Sequence, residues 1–472
     1  MRKRKFTPYT IEQLEITNAG SEGKSIARFN DKVIMVDYAV PGDIVDVKVN
    51  STKKSFSFAT IQKVIKPSTD RVETFCSHVG LCGGCKWQQM SYEAQLRYKQ
   101  QQVQDAFERI GKFPFPVLRP IVGSKDTTYY RNKCEFSFID RKWLTSMDEM
   151  ETLSEDERKG LGYHIPGRFD KIFDVEHCYL QHQLANDIRN AVRDFGKKHS
   201  YPFFNPYSQE GFLRNIILRN NRAGEWMVIL CFKQEDEPKR EAILNHIHQL
   251  FPQVKSLLYI INPKMNDTIY DLEVQVYKGE DHLIETLEEL QFKIGPKSFF
   301  QTNTQQTQTL YGAARELAGL TGEENVYDLY TGVGSIALFV SKQAKQVIGI
   351  ESVEMAIEDA KTNAALNNIT NTHFYAGDMK DVLNDTLIER HGKPDVIITD
   401  PPRAGMHPDV IAKILEVAAP KVVYVSCNPA TQARDIALMQ DKYEVAEVQP
   451  VDMFPHTHHV ENIALLTLKS NG

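Results

Sequence analysis

Between residues 10 and 66 apolar and polar positions alternate, most clearly in "SIARFN", "KVIMVDYAV", "DIVDVKVN" and "SFSFATIQKVI", with "GSEGK", "NDK" and "PGD" punctuating the runs. A period of two is the signature of half-buried strands. Four or five short strands in so little chain predict a small β-barrel of the OB type over 1–66. "KPSTD", 66–70, reads as a linker. A glycine- and cysteine-rich stretch, "CSHVGLCGGCKWQQM", follows, and then the helical spacing of "SYEAQLRYKQQQVQDAFERIG", with Ser91 as N-cap and Gly111 as stop. From 117 to about 295 the pattern is mostly β. "RNIILR" and "EWMVILCF" flank "NNRAG" as the strands of a hairpin do, and the acidic stretch 145–160 reads as an exposed loop insert. From 296 onward helical patterns alternate with buried strands: "NVYDLYTG", "QVIGIE", "THFYAG", "DVIITDPP" and "KVVYVSC". That alternation predicts a doubly wound parallel sheet, closed by an antiparallel edge hairpin from "YEVAEVQPVDMF" and "ENIALLTLK". The fold class is therefore multidomain: a barrel over 1–66, a mostly β central domain over 67–295 and an α/β domain of Rossmann type over 296–472.

Composition narrows this only slightly. The chain has 472 residues, 42% hydrophobic and 25% charged, ordinary for a globular protein large enough for about three domains. No apolar run approaches the ~18 residues of a membrane span. The basic start "MRKRKFTPYT" has no apolar stretch behind it, unlike a secretory signal, so the expected compartment is the cytoplasm, with no membrane partner. A net charge of −6 argues against recognising nucleic acid by overall charge, but residues 1–66 hold 12 Lys and Arg against 7 Asp and Glu. A basic N-terminal module suited to phosphates is compatible with that asymmetry, as is a merely solvated surface.

The candidate chemistry sits in the last third. "VYDLYTGVGSIAL" is strand, glycine turn and helix; Gly332 and Gly334 let the backbone approach a ligand closely. Glu351, closing "QVIGIE", stands where a carboxylate accepts hydrogen bonds from ribose hydroxyls. The turn alone suits a nicotinamide dinucleotide or S-adenosylmethionine (SAM) equally. At the fourth strand's tip Asp400-Pro401-Pro402-Arg403 forms a rigid polar lip. One strand later comes Cys427, in "VVYVSCNPATQARD". A thiol there is either core filler or a nucleophile held out for chemistry. Uracil C5 is a poor nucleophile, but a thiolate added to C6 turns the ring into an enolate whose C5 can attack a methyl sulfonium. A base must then remove the C5 proton, and Glu461 serves only if its strand lies beside that of Cys427. The nearby His456, His458 and His459 fit no standard metal spacing.

Seven cysteines are unevenly spread, and a disulfide framework is not expected in a long cytosolic chain. Cys76-x5-Cys82-x2-Cys85, with Cys178 far downstream, offers four thiols to zinc or to an iron–sulfur cluster. Cys134 and Cys231 lie inside apolar strands and read as packing residues.

On "FFQTN" (299–303), "DLYTGVG" (328–334), "DPPRAG" (400–405), "SCNPATQARD" (426–435) and "HTHHVE" (456–461), the chain resembles the RNA uracil-5-methyltransferase family. The likeness extends upstream: "GKSIARFNDKVIMVDYAVPGDIVDVKV" resembles a TRAM domain, an OB-like RNA-binding barrel, and "YRNKCEFSF" and "GLGYHIPGRFDKIFDVEHCYL" resemble the family's central region. It implies a C-terminal SAM-dependent methyltransferase domain. Cys427 would be the nucleophile and Glu461 the base; Gln301, Tyr330, Glu351, Asp378 and Asp400 would form the SAM site. Cys76, Cys82, Cys85 and Cys178 would hold a [4Fe-4S] cluster. Phe299 and Phe300 are candidates to stack on a flipped base, with burial expected for at least one. Thr331 stands where the family often has cysteine, and Ser335 where one branch has asparagine. The barrel and the cysteine cluster point to the branch acting on 23S ribosomal RNA. A transfer-RNA enzyme of the same chemistry and a non-catalytic RNA-binding assembly factor are the alternatives, and no protein partner is implied.

Overall fold

The alternating N-terminal segment forms strands β1 (Tyr9–Glu15), β2 (Asn18–Ala19), β3 (Ser25–Phe29), β4 (Lys32–Asp37), β5 (Ile44–Thr52) and β6 (Phe56–Lys66) in the computed structural model, which describes residues 6–144, 146 and 151–470. They make one six-stranded sheet in the order β1-β5-β6-β4-β3-β2. Its inward positions, among them Ile11, Ala27, Ile34, Val45, Val47, Val49 and Ala59, share a single core. The stretch 66–70 is no loose linker. The buried Asp43 carboxylate accepts from the Ser68 amide at 2.9 Å and from Arg71 Nε at 2.9 Å, while Asp70 pairs with Arg97.

The second sheet contains β7 (Lys133–Ile139), β8 (Gly160–His164), β9 (Ile172–Asp174), β10 (Leu213–Asn220), β11 (Trp226–Phe232), β12 (Val254–Ile261) and β13 (Gln275–Gly279), ordered β13-β12-β11-β10-β7-β8-β9. The "NNRAG" hairpin is present, β10 pairing antiparallel with β11 from Asn220 opposite Trp226. Two helices qualify the mostly β expectation for this region: Gln183–Lys198 and Glu237–Leu250. They bury Ile188, Val192, Ile243, Leu244 and Ile247 against Phe136, Ile216, Leu218 and Val228. In the acidic stretch, positions 145 and 147–150 lie outside the described residues. Glu155–Arg158 form one exposed helical turn closed by a Ser154/Glu157 capping box, and β8 begins at 160. A small hairpin, β14 (Leu283–Leu287) and β15 (Leu290–Ile294), leads to the last region.

There β16 (Asn325–Leu329), β17 (Gln346–Glu351), β18 (Thr372–Ala376), β19 (Val396–Thr399), β20 (Lys421–Ser426), β21 (Tyr443–Val451) and β22 (Glu461–Leu468) form a sheet ordered β18-β17-β16-β19-β20-β22-β21. The first five strands are parallel, and β22 runs antiparallel to both neighbours. Helices cover both faces, so the strands are apolar throughout. Tyr327 and Tyr424 enter one core and Val326, Val423 and Val425 the other.

Helix α1 (Tyr92–Ala106) starts where expected: Ser91 Oγ accepts the Ala94 amide. A wider turn, Phe107–Gly111, extends it to a left-handed Lys112. Although α1 precedes the second sheet in the chain, its Val103 and Ala106, together with Phe107 of the wider turn, bury in the core of the third. Beyond it, Leu118 and Val122 bridge in parallel to Val448 and Val451 of β21. No helix among the described residues is long and apolar enough to cross a membrane.

Candidate active site

The carboxyl ends of the parallel strands bring most of the expected side chains to one edge. β16 delivers Tyr330 with φ 65°, followed by Gly332 at φ 56° and Gly334 at φ 80°. These left-handed conformations are easy for glycine and costly for other residues. A Cβ on Gly332 would meet no atom within 4 Å, so its open side faces free space. The turn is bound to its acid: the Gly332 amide donates to Glu351 Oε2 at 3.2 Å, and the Val353 amide to Glu351 Oε1 at 3.0 Å. Thr331 Oγ1 donates to the buried Asp328 at 2.5 Å. Asp378 caps the turn after β18, accepting the Lys380 amide. Burial, then the nearby Asp378, Asp435 and Glu351 carboxylates, push the Tyr330 phenol up to about 12.

The next three tips converge on a thiol and two carboxyls. β20 pairs with β22 so that Ser426 faces Asn462. Cys427 and Glu461 adjoin this last pair, and Glu461 acts on the Cys427 thiol electrostatically. Asp400 follows β19, whose Thr399 pairs with Tyr424. Burial raises the Asp400 carboxyl to about 7. Glu461 is raised to about 8 by burial first and then by Asp400, with Arg403 opposing. The half-buried Cys427 thiol is pushed up to about 11 by burial, then by Glu461 and Asp400, while the Arg403 guanidinium, close and hydrogen-bonded, pulls it down. The set holds an acid, a thiol and a cation within electrostatic reach, able to pass a proton and to stabilise an anion.

The expected segment 299–303 is anchored from both sides of this edge. Arg219 Nη2 donates to the Ser298 carbonyl at 2.9 Å, the Asn132 side chain to the Gln301 carbonyl at 3.0 Å, and the Asn303 side chain to the Met453 carbonyl at 2.9 Å. Gln301 is half-buried, Phe300 is 6% exposed and Phe299 68% exposed. The histidines stay neutral: burial lowers His456 and His458 to about 4 and His459 to about 3.

Elsewhere, Cys76, Cys82, Cys85 and Cys178 line one pocket together with His78 and Tyr163. Burial, then Cys178 and Cys76, raise Cys82 to about 11 even though nearby amides oppose the shift; Cys85 is raised further by burial and by the other three thiols. Asn186 holds Cys178 by both backbone groups, at 2.7 and 3.2 Å. Cys134 and Cys231 are buried. Cys134 does more than pack: its sulfur accepts the Tyr163 hydroxyl at 3.2 Å, and that hydroxyl lies 3.9 Å from Cys178. All seven cysteines are free. Among the described residues no group of three or more His, Cys, Asp or Glu is arranged to hold a metal ion.

Residues 224–469 match the family described as tRNA (Uracil-5-)-methyltransferase, and residues 9–61 match the TRAM domain. The chain belongs to this uracil-5-methyltransferase family. It is 55% identical to an uncharacterized RNA methyltransferase of Bacteroides thetaiotaomicron, over 95% of this chain and 100% of that one. It is 51% identical to another of Porphyromonas gingivalis, over 96% and 99%. Among solved structures, the tRNA (uracil-54, C5)-methyltransferase of Pyrococcus abyssi, in complex with S-adenosyl-L-homocysteine, superposes with a TM-score of 0.74 at 27% identity, covering 96% of this chain and 100% of that one.

Two residues of this RNA methyltransferase were not singled out by sequence. Arg403 stood only as part of the proline lip. Its carbonyl accepts from Asn428 and Thr431 at 3.1 and 3.2 Å, fixing the lip to the helix that follows Cys427. The signal was a cation three residues after the acid. Tyr311, buried in the helix Thr304–Ala318, sits near Asp400, Asp328 and Glu461 and hydrogen-bonds Ser335 at 2.9 Å. Inside a helical apolar pattern it gave no signal.

Proposed function

We propose that this enzyme methylates C5 of uracil in RNA, with Cys427 as nucleophile, Glu461 as base and SAM as methyl donor. The observation that carries this is the β20–β22 pairing, whose last pair, Ser426 with Asn462, brings the adjoining Cys427 and Glu461 to one edge, where Glu461, Asp400 and Arg403 all act on the Cys427 thiol. The open side of Gly332 and the Glu351 carboxylate fixed against it fit a nucleoside-type donor; Gln301, Tyr330, Glu351, Asp378 and Asp400 would hold it. SAM supplies the methyl group, leaving as S-adenosylhomocysteine, and its sulfonium charge favours ionised forms of the thiol and carboxyl nearby. Cys427 Sγ bonds to uracil C6, and the C5–C6 π pair moves onto O4 as an enolate. Arg403 stabilises the thiolate beforehand. Once C5 carries the methyl group, Glu461 takes the C5 proton. The C–H pair re-forms the C5–C6 double bond and expels the Cys427 thiolate. The net change is uracil and SAM to 5-methyluracil, S-adenosylhomocysteine and a proton. Phe299, exposed on the segment carrying Gln301, would stack on the flipped base.

The four-cysteine pocket would hold the [4Fe-4S] cluster that the family resemblance implies. Its donors would be four free thiols lining a single pocket, the number a four-iron cluster needs. Their mutual repulsion as thiolates calls for a cationic group among them. The cluster's role would be to hold the loop 76–85 to the second sheet; it takes no part in methyl transfer.

The TRAM domain together with the four-cysteine pocket favours 23S ribosomal RNA as substrate. Transfer RNA is the second reading, favoured by the full-length likeness to the Pyrococcus abyssi enzyme. The chemistry is tested with RNA containing 5-fluorouracil. Fluorine cannot leave C5 as a proton does, so a denaturation-stable protein–RNA adduct should form only with SAM present; absence of any adduct refutes the mechanism. Mapping 5-methyluridine in both RNAs from a deletion strain decides the substrate.

A further inference from the structure

Three side chains on one face of α1, at Tyr92, Gln95 and Lys99, grip the loop that leads into Glu461. Lys99 Nζ donates to Asp452 Oδ1 at 2.6 Å and to the Phe454 carbonyl at 3.0 Å. Tyr92 Oη donates to Asp452 Oδ2 at 3.0 Å. The His456 amide donates to Gln95 Oε1 at 2.8 Å, and the His456 carbonyl accepts the Lys86 and Trp87 amides at 3.0 Å. Asp452 also accepts the Phe454 amide at 2.9 Å. The side chains of Lys99 and Asp452 are both fully buried.

This loop has little freedom at its ends. Val451, immediately before Asp452, pairs with Glu461 across the β21–β22 hairpin. The chain therefore leaves the base's strand partner, is held at 452, 454 and 456, and returns as Glu461. A fully buried ion pair is a poor source of stability, because desolvation offsets most of the attraction, and its best-attested use is to fix one arrangement among several. What it fixes here is the connection that sets the Glu461 carboxylate against Cys427.

We propose that Lys99 and Asp452 are positioning residues for removal of the C5 proton, acting through the loop that carries Glu461. The inference rests on the reading of Cys427 as nucleophile and Glu461 as base. That mechanism has two halves with separate readouts. Adduct formation with 5-fluorouracil-containing RNA needs Cys427 and the methyl donor but no proton removal. Tritium release from RNA labelled at uracil C5 reads proton removal directly.

The test uses the full chain carrying Lys99→Met with Asp452→Leu, which removes both charges and leaves neither buried alone. Single-turnover adduct formation should stay close to that of the unaltered enzyme. Tritium release should fall on the order of 10²-fold, the cost of misplacing a reacting group by about 1 Å, and methylated enzyme–RNA adduct should accumulate on ordinary RNA. Tyr92→Phe removes only the hydroxyl and should show the same split at a few-fold; it decides the matter should the double variant fail to fold. Equal loss in both assays, or loss in neither, overturns the positioning role. An unaltered enzyme that forms no adduct overturns the nucleophile–base reading itself, and the positioning role with it.

Discussion

Cys427 and Cys82 are both half-buried thiols, and both are pushed up to about 11 with burial as the first cause. Their neighbours differ. Cys82 faces other thiols, Cys178 and Cys76; Cys427 faces two carboxyls and a guanidinium. A set of like thiols cannot usefully trade a proton, but all of its members can ionise together around a cation. The mixed set can move a proton from carbon to carboxylate and steady an anion meanwhile. The size of a thiol's shift therefore says little about its use, and the chemical variety around it says much.

Substitution breaks the comparison most sharply. Cys427→Ala should abolish methylation, by on the order of 10⁴-fold or more, since the covalent route is lost outright; 5-methyluridine formation on RNA measures it. Cys82→Ala should leave methylation measurable. Next in size is Glu461→Gln, which keeps the shape and removes the base. Turnover should fall ~10²- to 10⁴-fold while methylated adduct accumulates, because the half-reaction served by Cys427 is intact. A Glu461→Gln enzyme that turns over normally, or that forms no adduct, would show that the neighbours of Cys427 do not divide the work as proposed.

The pH dependence comes third. Glu461, raised to about 8, acts as a base only when ionised. Where proton removal limits the rate, turnover should rise ~tenfold per unit below about pH 8 and then level. Stability runs the opposite way. A carboxyl whose folded pKa is raised supports the fold fully below its unfolded value of 4.5, and that contribution is lost as pH rises through about 8. The melting-temperature difference between the unaltered protein and Glu461→Gln should therefore shift steadily against the unaltered protein between about pH 5 and pH 8, since only the Glu461 contribution differs between them. A turnover profile that falls over this range, or a melting-temperature difference that does not change with pH, contradicts the assignment.

How much of this was readable beforehand depends on where each residue sits. Asp400 and Cys427 each follow an apolar strand run directly, so strand spacing alone put them at one edge of a parallel sheet. Glu461 required an assumption about strand order, which the β20–β22 pairing supplies. The grip of Lys99 on Asp452 spans 353 positions and leaves no local trace, because a lysine in "QLRYKQQQ" looks like any solvated helix residue. Arg403 was visible but undistinguished, since a charged loop residue gains meaning only from what it faces. The helix Gln183–Lys198 was missed for a different reason. Its apolar Ala185, Ile188 and Val192 do recur at helical spacing, but the strands on either side of it dominated the pattern. The linker at 66–70 looked free because Asp43, which holds it, lies far upstream in the barrel.

The smallest expected effect tests the other side of the comparison. If the thiols around Cys82 serve structure and not chemistry, Cys82→Ser should act on the loop and reach the active site only through it. The route is short: a few residues after Cys82 and Cys85, the Lys86 and Trp87 amides hold the His456 carbonyl, five residues before Glu461. Loosening the loop should lower the melting temperature by a few degrees, at ~2–4 °C per kcal/mol lost. Because that loss reaches the base only indirectly, turnover should drop by less than about tenfold, within the 0.5–2 kcal/mol typical of coupling between linked sites. The rate of adduct formation on RNA containing 5-fluorouracil should not change, since Cys427 keeps Asp400 and Arg403 beside it. A Cys82→Ser enzyme that lost adduct formation as completely as Cys427→Ala would make the two thiols partners in one chemistry, and the contrast between their surroundings would then carry no functional meaning.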